Sequence, residues 1–339
     1  MVNMVTLSVK YRPQTFSEVC SQTSIKKILQ RQIELKQFKN VYLFSGPSGT
    51  GKTTLARIFA NEINMYQGSP IEIDGASNNG VDNVKMIIQS SAERSLDSTY
   101  KIFIIDECHM ITTAGWNAFL KILEEPPMYT IFMFCTTDAQ KIPATIINRV
   151  QRFNLTKVNT QEIKNRLRFV CEQEHFINYE ESIDYISKIS SGGMRDALAM
   201  LDKCSGYSSD LSINNVLEAL GNYSYQSFFD LTNAIIDGNE PIVINLINSF
   251  YNSGNDLKLF VEQYLNFVLD LAKYCLFKDL SVTMIPLSME DKVKYTTGIE
   301  NNRHYFNSLT DKILNIKNTI RYDSNMKTTI EIMLLQLCR

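Results

Sequence analysis

Residues 41–54 read Val-Tyr-Leu-Phe-Ser-Gly-Pro-Ser-Gly-Thr-Gly-Lys-Thr-Thr, an apolar run that breaks into glycines and is followed by a helical pattern. The Gly-x-x-x-x-Gly-Lys-Thr spacing is typical of a phosphate-binding loop, because glycines let successive backbone N–H groups converge on phosphate oxygens. A glycine-rich turn that matches by chance is the alternative, but the strand and helix patterns on either side are the context that the motif requires. We predict that Lys52 reaches the β and γ phosphates of a nucleotide and that the Thr53 hydroxyl binds Mg²⁺. The predicted nucleotide-binding residues of the loop are Gly46, Pro47, Ser48, Gly49, Thr50, Gly51, Lys52, Thr53 and Thr54.

A second apolar run, residues 101–107, ends in two carboxylates. In a parallel sheet the carboxyl ends of the strands share one edge, so Asp106 is expected beside the loop as a Mg²⁺ ligand and Glu107 as the group that polarises the attacking water. An acidic strand end is usually structural, but together with the loop it predicts an NTPase site. A third run, residues 130–135, is followed by Thr136-Thr137, whose hydroxyls are expected on the same rim.

Three other segments each have a functional and a structural interpretation that the residues alone leave open. Residues 10–16 place an aromatic and a guanidinium where they would flank a nucleotide, or where an N-terminal arm packs on the core. Residues 75–80 form a turn before a helix whose free N–H groups would accept a phosphate, or an ordinary helix start. Arg195 begins a helix and would reach a phosphate, or lie in solvent.

Composition indicates an ordinary globular protein of two or three domains, with 339 residues, 44% hydrophobic and 21% charged. Its seven cysteines are scattered without Cys-x-x-Cys spacing, which predicts neither a disulfide framework nor a zinc site and favours a reducing cytoplasm. The start of the chain does not read as a signal peptide, and residues 257–277 carry charges that argue against a membrane span.

The charge is unevenly distributed along the chain. Lys plus Arg outnumber Asp plus Glu by 17 to 13 in residues 1–157, so a polyanion is expected to bind this part of the chain, although scatter in surface charge explains the excess equally well.

Strand and helix patterns alternate as far as residue 155, which predicts an α/β fold with a doubly wound parallel sheet. Only helical patterns follow. We predict three domains: a nucleotide-binding domain at 1–157, a helical lid at 158–208 and a helical collar or oligomerisation domain at 209–339. The clearest apolar stripe at helical spacing consists of Leu257, Phe260, Val261, Tyr264, Leu265, Val268, Leu269, Ala272, Cys275 and Leu276.

Taken together, these stretches resemble the gamma/tau subunits of the bacterial DNA polymerase III clamp loader, which are AAA+ ATPases. The phosphate loop alone fits many ATPases, whereas the other motifs together fit this family and few others. The segments that carry the resemblance are Lys10-Tyr-Arg-Pro13, Ser45-Gly-Pro-Ser-Gly-Thr-Gly-Lys-Thr53, Glu72-Ile-Asp-Gly-Ala-Ser-Asn-Asn-Gly-Val81, Ile105-Asp-Glu-Cys-His109, Leu120-Lys-Ile-Leu-Glu-Glu-Pro-Pro127 and Gly192-Gly-Met-Arg-Asp-Ala-Leu198.

The resemblance implies roles for particular residues. It makes Thr137 the sensor on the strand beside Asp106, Arg195 the sensor from the lid, and Arg149 an arginine finger presented to a neighbour's ATP. It also implies two groups of binding residues: Tyr11, Arg12 and Pro13 around the nucleotide, and Ser77, Asn78, Asn79 and Gly80 on a DNA-facing surface.

The chain departs from the family pattern in three places. The four-cysteine zinc module usual before the Glu-Ile-Asp strand is replaced by residues 64–70, so no zinc is expected. The Ser-Arg-Cys triplet around the finger reads Asn148-Arg149-Val150. The chain stops after the collar-like part, so the polymerase- and helicase-binding extension of the longer family form is expected to be missing.

The resemblance implies an ATP- and Mg²⁺-dependent motor subunit of a cytoplasmic, pentameric clamp loader. Its implied partners are other loader subunits, a sliding clamp and primer-template DNA, with no membrane. A scaffold subunit that binds nucleotide without turnover is one alternative. Another is a different AAA+ DNA-remodelling ATPase, such as a helicase, or an unfoldase.

Overall fold

A computed structural model describes residues 5–252, 254, 256–299, 303–323 and 325–338. The chain forms two compact units, one made of Met1–Glu172 with Ile186–Asp202 and the other of Gln173–Tyr185 with Lys203–Arg339. Within the described ranges, every helix is too short or too polar to cross a lipid bilayer. The three-domain division predicted from the sequence stays a prediction.

The first unit contains a five-stranded sheet in the order β2-β3-β4-β1-β5, with every neighbouring pair parallel. The strands are β1 Val41–Ser45, β2 Ile71–Asp74, β3 Lys101–Asp106, β4 Thr130–Thr136 and β5 Gln151–Asn154. Because these strands all run the same way, the loops that follow them meet at one edge of the sheet. The predicted parallel sheet is therefore confirmed.

Alternate residues of the central strands point to opposite faces of the sheet, and both faces are covered by helices. Every residue of β1 and β4 is buried, which explains why these strands read as continuous apolar runs rather than as alternating ones. On one face, Tyr42 and Phe44 pack with the buried side of the helix that follows the phosphate loop. On the other face, Val41 and Leu43 pack in a cluster that includes Trp116.

Helices follow the phosphate loop and residues 75–80, as the sequence predicts. The Thr112 side chain caps the helix that follows it by accepting a hydrogen bond from the Gly115 N–H, and that helix ends just before the Pro126-Pro127 pair. Short 3-10 turns occur at Cys108–Met110, Ala139–Lys141, Leu280–Val282, Leu287–Met289 and Ile320–Tyr322. The α-helices are α1 Leu7–Lys10, α2 Thr23–Leu35, α3 Lys52–Ile63, α4 Val81–Ser91, α5 Thr113–Glu124, α6 Ala144–Ile147, α7 Thr160–Gln173, α8 Glu180–Ile189, α9 Met194–Tyr207, α10 Ile213–Leu220, α11 Tyr225–Ile236, α12 Glu240–Asn252, α13 Leu257–Phe277, α14 Glu290–Ile299, α15 Arg303–Thr319 and α16 Met326–Leu335.

The second unit is built of helices around an apolar core of its own, in which α13 packs along α15. The stripe predicted on α13 is largely buried, but Leu269 and Leu276 lie exposed, whereas Phe267 and Leu271 are buried. The buried surface of α13 therefore also takes in residues outside the predicted stripe, because this helix is packed on more than one side.

Candidate functional site

The phosphate loop connects the carboxyl end of β1 to the start of α3, and its backbone requires glycine. Gly46, Gly49 and Gly51 have φ angles of 152°, 70° and 98°, in the region that side chains disfavour. A Cβ on Gly46 would lie 2.5 Å from the Leu155 carbonyl oxygen, so this position has no room for a side chain. The glycine pattern in the sequence thus corresponds to a backbone constraint.

Lys52 is the first residue of α3, and its ammonium group folds over the loop. Its Nζ donates hydrogen bonds to the carbonyl oxygens of Gly46 and Pro47, each at 2.9 Å, and the residue is 6% exposed. Burial lowers the pKa of Lys52, and the nearby carboxylates of Glu107 and Asp106 oppose that shift. The site therefore combines a buried cation with two carboxylates close by.

Thr53 and Asp106 meet at the carboxyl edge of the sheet. The Thr53 hydroxyl donates to Asp106 Oδ2 at 2.8 Å, and Asp106 Oδ1 accepts the Glu107 N–H at 2.9 Å. Carboxylate and hydroxyl oxygens suit Mg²⁺, which usually takes one or two protein ligands and completes its shell with water and substrate phosphates. Of the residues that the structure describes, no three or more His, Cys, Asp or Glu side chains are grouped so as to hold a metal ion by themselves. The Thr53 hydroxyl and the Asp106 carboxylate are therefore suitable ligands for a Mg²⁺ ion bound together with a nucleotide.

Glu107 is held from the end of β4 and from the turn that follows β3. Its Oε2 accepts the Thr137 hydroxyl at 3.1 Å and the Thr137 N–H at 3.3 Å, and His109 Nδ1 lies 3.2 Å from the same oxygen. Thr137, expected on the rim beside the acidic strand end, thus contacts Glu107 directly. Sequence reasoning gave His109 no role, although its position two residues after Glu107 was an available signal.

A cavity of about 190 Å³ opens over the loop and lies entirely within the first unit. It brings together most of the residues that the sequence predicted to bind nucleotide or metal. These lining residues are Tyr11, Arg12, Pro13, Ser48, Gly49, Thr50, Gly51, Lys52, Thr53, Thr54, Asp106, Glu107 and Arg195.

The N-terminal arm forms one wall of this cavity and is tied to α7. The Arg166 guanidinium donates to the Tyr11 carbonyl oxygen at 2.8 Å and lies 5.1 Å from the centroid of the Phe169 ring, which packs edge-on against the Tyr11 ring. Arg166 and Cys20 also line the cavity, and sequence reasoning missed both because no local motif marks them. The arm and α7 together make a partly apolar wall that suits a nucleoside.

The start of α9 lies directly against the loop. The Met194 N–H donates to the Gly49 carbonyl oxygen at 3.0 Å, and Arg195, the next residue, lines the cavity. A Cβ on Gly49 would approach the Gly193 Cα to 3.1 Å, so glycine at this point also permits the close approach of the two segments. A basic side chain from a helix distant in sequence is thereby brought to the phosphate loop.

Arg149 lies outside the cavity of its own chain. It follows α6, where its guanidinium pairs with Glu124 Oε1 at 2.5 Å and donates to the Thr145 carbonyl oxygen. Its side chain is 35% exposed. The arrangement leaves Arg149 at the surface of the unit rather than among the residues that surround the loop.

Residues 77–80 also lie away from the cavity lining, in a turn at the end of β2. The Asp74 carboxylate accepts the Ser77 hydroxyl and N–H, and these hydrogen bonds lower the pKa of Asp74. The Asn79 carbonyl oxygen accepts the Thr112 N–H, which links this turn to the start of α5. Gly80 precedes α4, and Ser77 is exposed.

Comparison with known proteins finds similar DNA polymerase III subunits. A family model described as DNA polymerase III, delta subunit, matches residues 70–159. The tau subunit of DNA polymerase III from Bacillus subtilis (strain 168) is 37% identical over 286 residues, which cover 78% of this chain and 51% of that protein. The gamma subunit from Buchnera aphidicola subsp. Schizaphis graminum is 29% identical over an alignment of 358 positions, gaps included, which covers 99% of this chain and 98% of that protein. Over most of its length the chain is thus similar to the gamma and tau subunits of DNA polymerase III.

The resemblance read from the motifs is thereby confirmed. The gamma/tau subunit of Mycoplasma genitalium is 31% identical over 319 residues, covering 87% of this chain and 53% of that protein. The chain spans about half the length of the Bacillus and Mycoplasma relatives.

The fold has its own counterpart among solved structures. The Thermotoga maritima RuvB Holliday junction branch migration motor superposes with a TM-score of 0.53 at 19% identity, covering 73% of this chain and 86% of that one. At that identity the likeness concerns the fold alone. The predicted AAA+ fold class, a parallel-sheet nucleotide-binding domain followed by helical parts, is confirmed.

Proposed function

We propose that this chain is an ATP-hydrolysing motor subunit of a DNA polymerase clamp loader, which opens a sliding clamp and loads it onto primer-template DNA. The observation that carries the proposal is the convergence on one cavity of a buried lysine, a Thr53–Asp106 pair and an oriented Glu107. A chain that only bound nucleotide would not need Glu107 held in this way.

Each group of residues in the cavity would have a separate role in ATP binding and hydrolysis. Lys52 and the loop N–H groups would bind the phosphates, Arg195 would add a second cation from α9, and the arm with Tyr11 would border the nucleoside. Thr53 and Asp106 would hold Mg²⁺, whose charge, when it is bound, neutralises the phosphate oxygens. Glu107 would orient the attacking water and accept its proton.

The proposal assigns Arg149 to a neighbouring subunit's site. Its place at the surface of the unit, outside the cavity of its own chain, supports that assignment. An arginine supplied across an interface stabilises charge that develops on the transferred phosphoryl group. The partners of the assembly would be other loader subunits in a pentameric ring, a sliding clamp and primer-template DNA, with residues 77–80 facing the DNA.

The test of the chemistry is Glu107→Gln in the assembled loader. The amide cannot accept a proton from water, whereas Lys52, Thr53 and Asp106 remain, so ATP should bind with normal affinity and single-turnover hydrolysis should fall by roughly 10²-fold or more. Unchanged hydrolysis would remove Glu107 from the chemistry. A wild-type chain without measurable turnover in the complete assembly would favour the scaffold alternative.

A further inference from the structure

His109 lies beside the carboxylate to which the proposed function gives the water-activating role. Its Nδ1 is 3.2 Å from Glu107 Oε2 and 3.2 Å from Thr136 Oγ1. The imidazole is 12% exposed, whereas the Glu107 side chain is 39% exposed. A largely buried ring therefore borders an accessible carboxylate.

The backbone after β3 brings the two side chains together. Glu107 has a φ of 44°, in the left-handed region, and the 3-10 turn Cys108–Met110 begins at the next residue. The Met110 N–H closes this turn by donating to the Glu107 carbonyl oxygen at 3.0 Å. The chain thus reverses at once, and the side chain two residues along returns to the Glu107 carboxylate.

The groups around the His109 ring favour one position for its proton. Thr136 Oγ1 accepts the Asp138 N–H at 3.0 Å and keeps a hydroxyl proton that it can donate, whereas the Glu107 carboxylate oxygen has no proton to donate. A proton on Nδ1 satisfies the contact with Glu107 Oε2, whereas a bare Nδ1 would set its lone pair against that oxygen. Oε2 then accepts from Thr137 and from His109.

The other Glu107 oxygen, Oε1, accepts no hydrogen bond from any residue that the structure describes, and Glu107 lines the nucleotide cavity. A carboxylate held by one oxygen keeps the second oxygen in a defined direction. We propose that His109 is a positioning residue that, with Thr137, fixes Glu107 Oε2 so that Oε1 is presented to water in the cavity. This inference rests on the proposed function of Glu107.

The first test compares two variants of nearly equal shape in the assembled loader. In His109→Asn the amide replaces Nδ1 with a group that can donate, whereas His109→Leu fills the same space and donates nothing. We expect His109→Leu to lower the single-turnover hydrolysis rate by about tenfold, because a positioned general base contributes roughly 10²–10⁴-fold and only part of that should be lost. The Kd for ATP should change by less than about twofold. Asn should recover most of that loss. Equal rates for the wild type and His109→Leu would overturn the inference.

A double-variant comparison separates positioning from a general structural effect. Once Glu107→Gln has removed the group that His109 orients, adding His109→Leu should lower the residual rate no further. A further tenfold loss in that background would overturn the inference and leave the proposed function in place. Full activity of Glu107→Gln itself would overturn the proposed function and this inference together.

A spectroscopic measurement needs no activity and no variant of the Glu107 side chain. The chain contains three histidines, so ¹⁵N-labelled imidazole signals are few, and His109→Leu identifies those of His109 by their loss. In the wild-type chain we expect the His109 ring to carry a proton on Nδ1. A neutral ring protonated only on Nε2 would overturn the inference whatever the kinetics show.

Discussion

The Thr53 hydroxyl donates a 2.8 Å hydrogen bond to Asp106 Oδ2, which joins the first turn of α3 to the carboxyl end of β3. The strands that precede these residues, β1 and β3, are not neighbours, since β4 lies between them. The contact therefore spans the middle of the sheet edge and turns two separate sequence motifs into one site.

Replacing Lys52 with Ala should weaken ATP binding strongly. The ammonium group is a buried cation of the loop, and a charge-assisted hydrogen bond contributes about 1.5–3 kcal/mol, which corresponds to roughly 10- to 100-fold in Kd. Calorimetric titration with ATP and Mg²⁺ measures this change. Lys27→Ala, at an exposed position on α2, is the matched control and should bind ATP normally. Normal affinity in Lys52→Ala would contradict the assignment of the loop.

Replacing Gly46 with Ala should destabilise the first unit as well as the site. A side chain there adopts a disfavoured φ and meets the Leu155 carbonyl oxygen, and such backbone strain costs about 1–3 kcal/mol. Gly80→Ala is the matched control, because its φ is −78° and nothing lies within 4 Å of the added Cβ. Urea unfolding should show a lower midpoint for Gly46→Ala only, and equal midpoints would show that the loop has another conformation.

The sheet and the centre of the site could be predicted from the sequence because their determinants are local. A continuous apolar run marks each buried central strand, and parallel strands bring their carboxyl ends to one edge, so Lys52 and Asp106 follow from spacing alone. The cap at Thr112 and the stop at Pro126 are likewise encoded within a few residues.

The rest depends on contacts between residues that share no local pattern. Arg166 reaches the arm across 155 positions of sequence, and Glu124 meets Arg149 across 25. The pairing of His109 with Glu107 is local, yet it depends on a left-handed φ at a glutamate, which residue preferences disfavour. Helical periodicity alone does not show how many neighbours a long helix has, so it does not distinguish the exposed Leu269 from the buried members of the stripe on α13.

Arg149→Ala should leave ATP binding intact and abolish most hydrolysis in the assembled loader. The guanidinium lies outside the cavity of its own chain, so its loss should lower the hydrolysis rate only at a site where a neighbouring chain binds the phosphates of ATP. Arg31→Ala, an exposed arginine on α2, is the control for loss of a surface charge. Weakened ATP binding by the isolated Arg149→Ala chain would contradict a role in trans.

Mixing two inactive chains tests the same residue directly. A Lys52→Ala chain keeps its arginine and an Arg149→Ala chain keeps its phosphate loop, so one of their mutual interfaces is complete. Mixtures shown to co-assemble should recover part of the hydrolysis rate. If they recover none, the site is completed within one chain.

Metal analysis of the purified protein should find far less than one zinc per chain. A structural zinc site needs four ligands held close together, and among the residues that the structure describes no three or more His, Cys, Asp or Glu side chains are grouped so as to hold a metal ion. One tightly held zinc per chain, retained against a chelator, would mean that distant cysteines converge.

The most direct test of the motor assignment is the ATPase rate of the loader assembled with this chain, measured with and without its sliding clamp and primed DNA. The proposed function predicts a low basal rate that rises several-fold only when clamp and primed DNA are both present, and no rise in a loader carrying Glu107→Gln. An ATPase rate that does not change when clamp and primed DNA are added, or a rise that persists in a loader carrying Glu107→Gln, would contradict the proposed function.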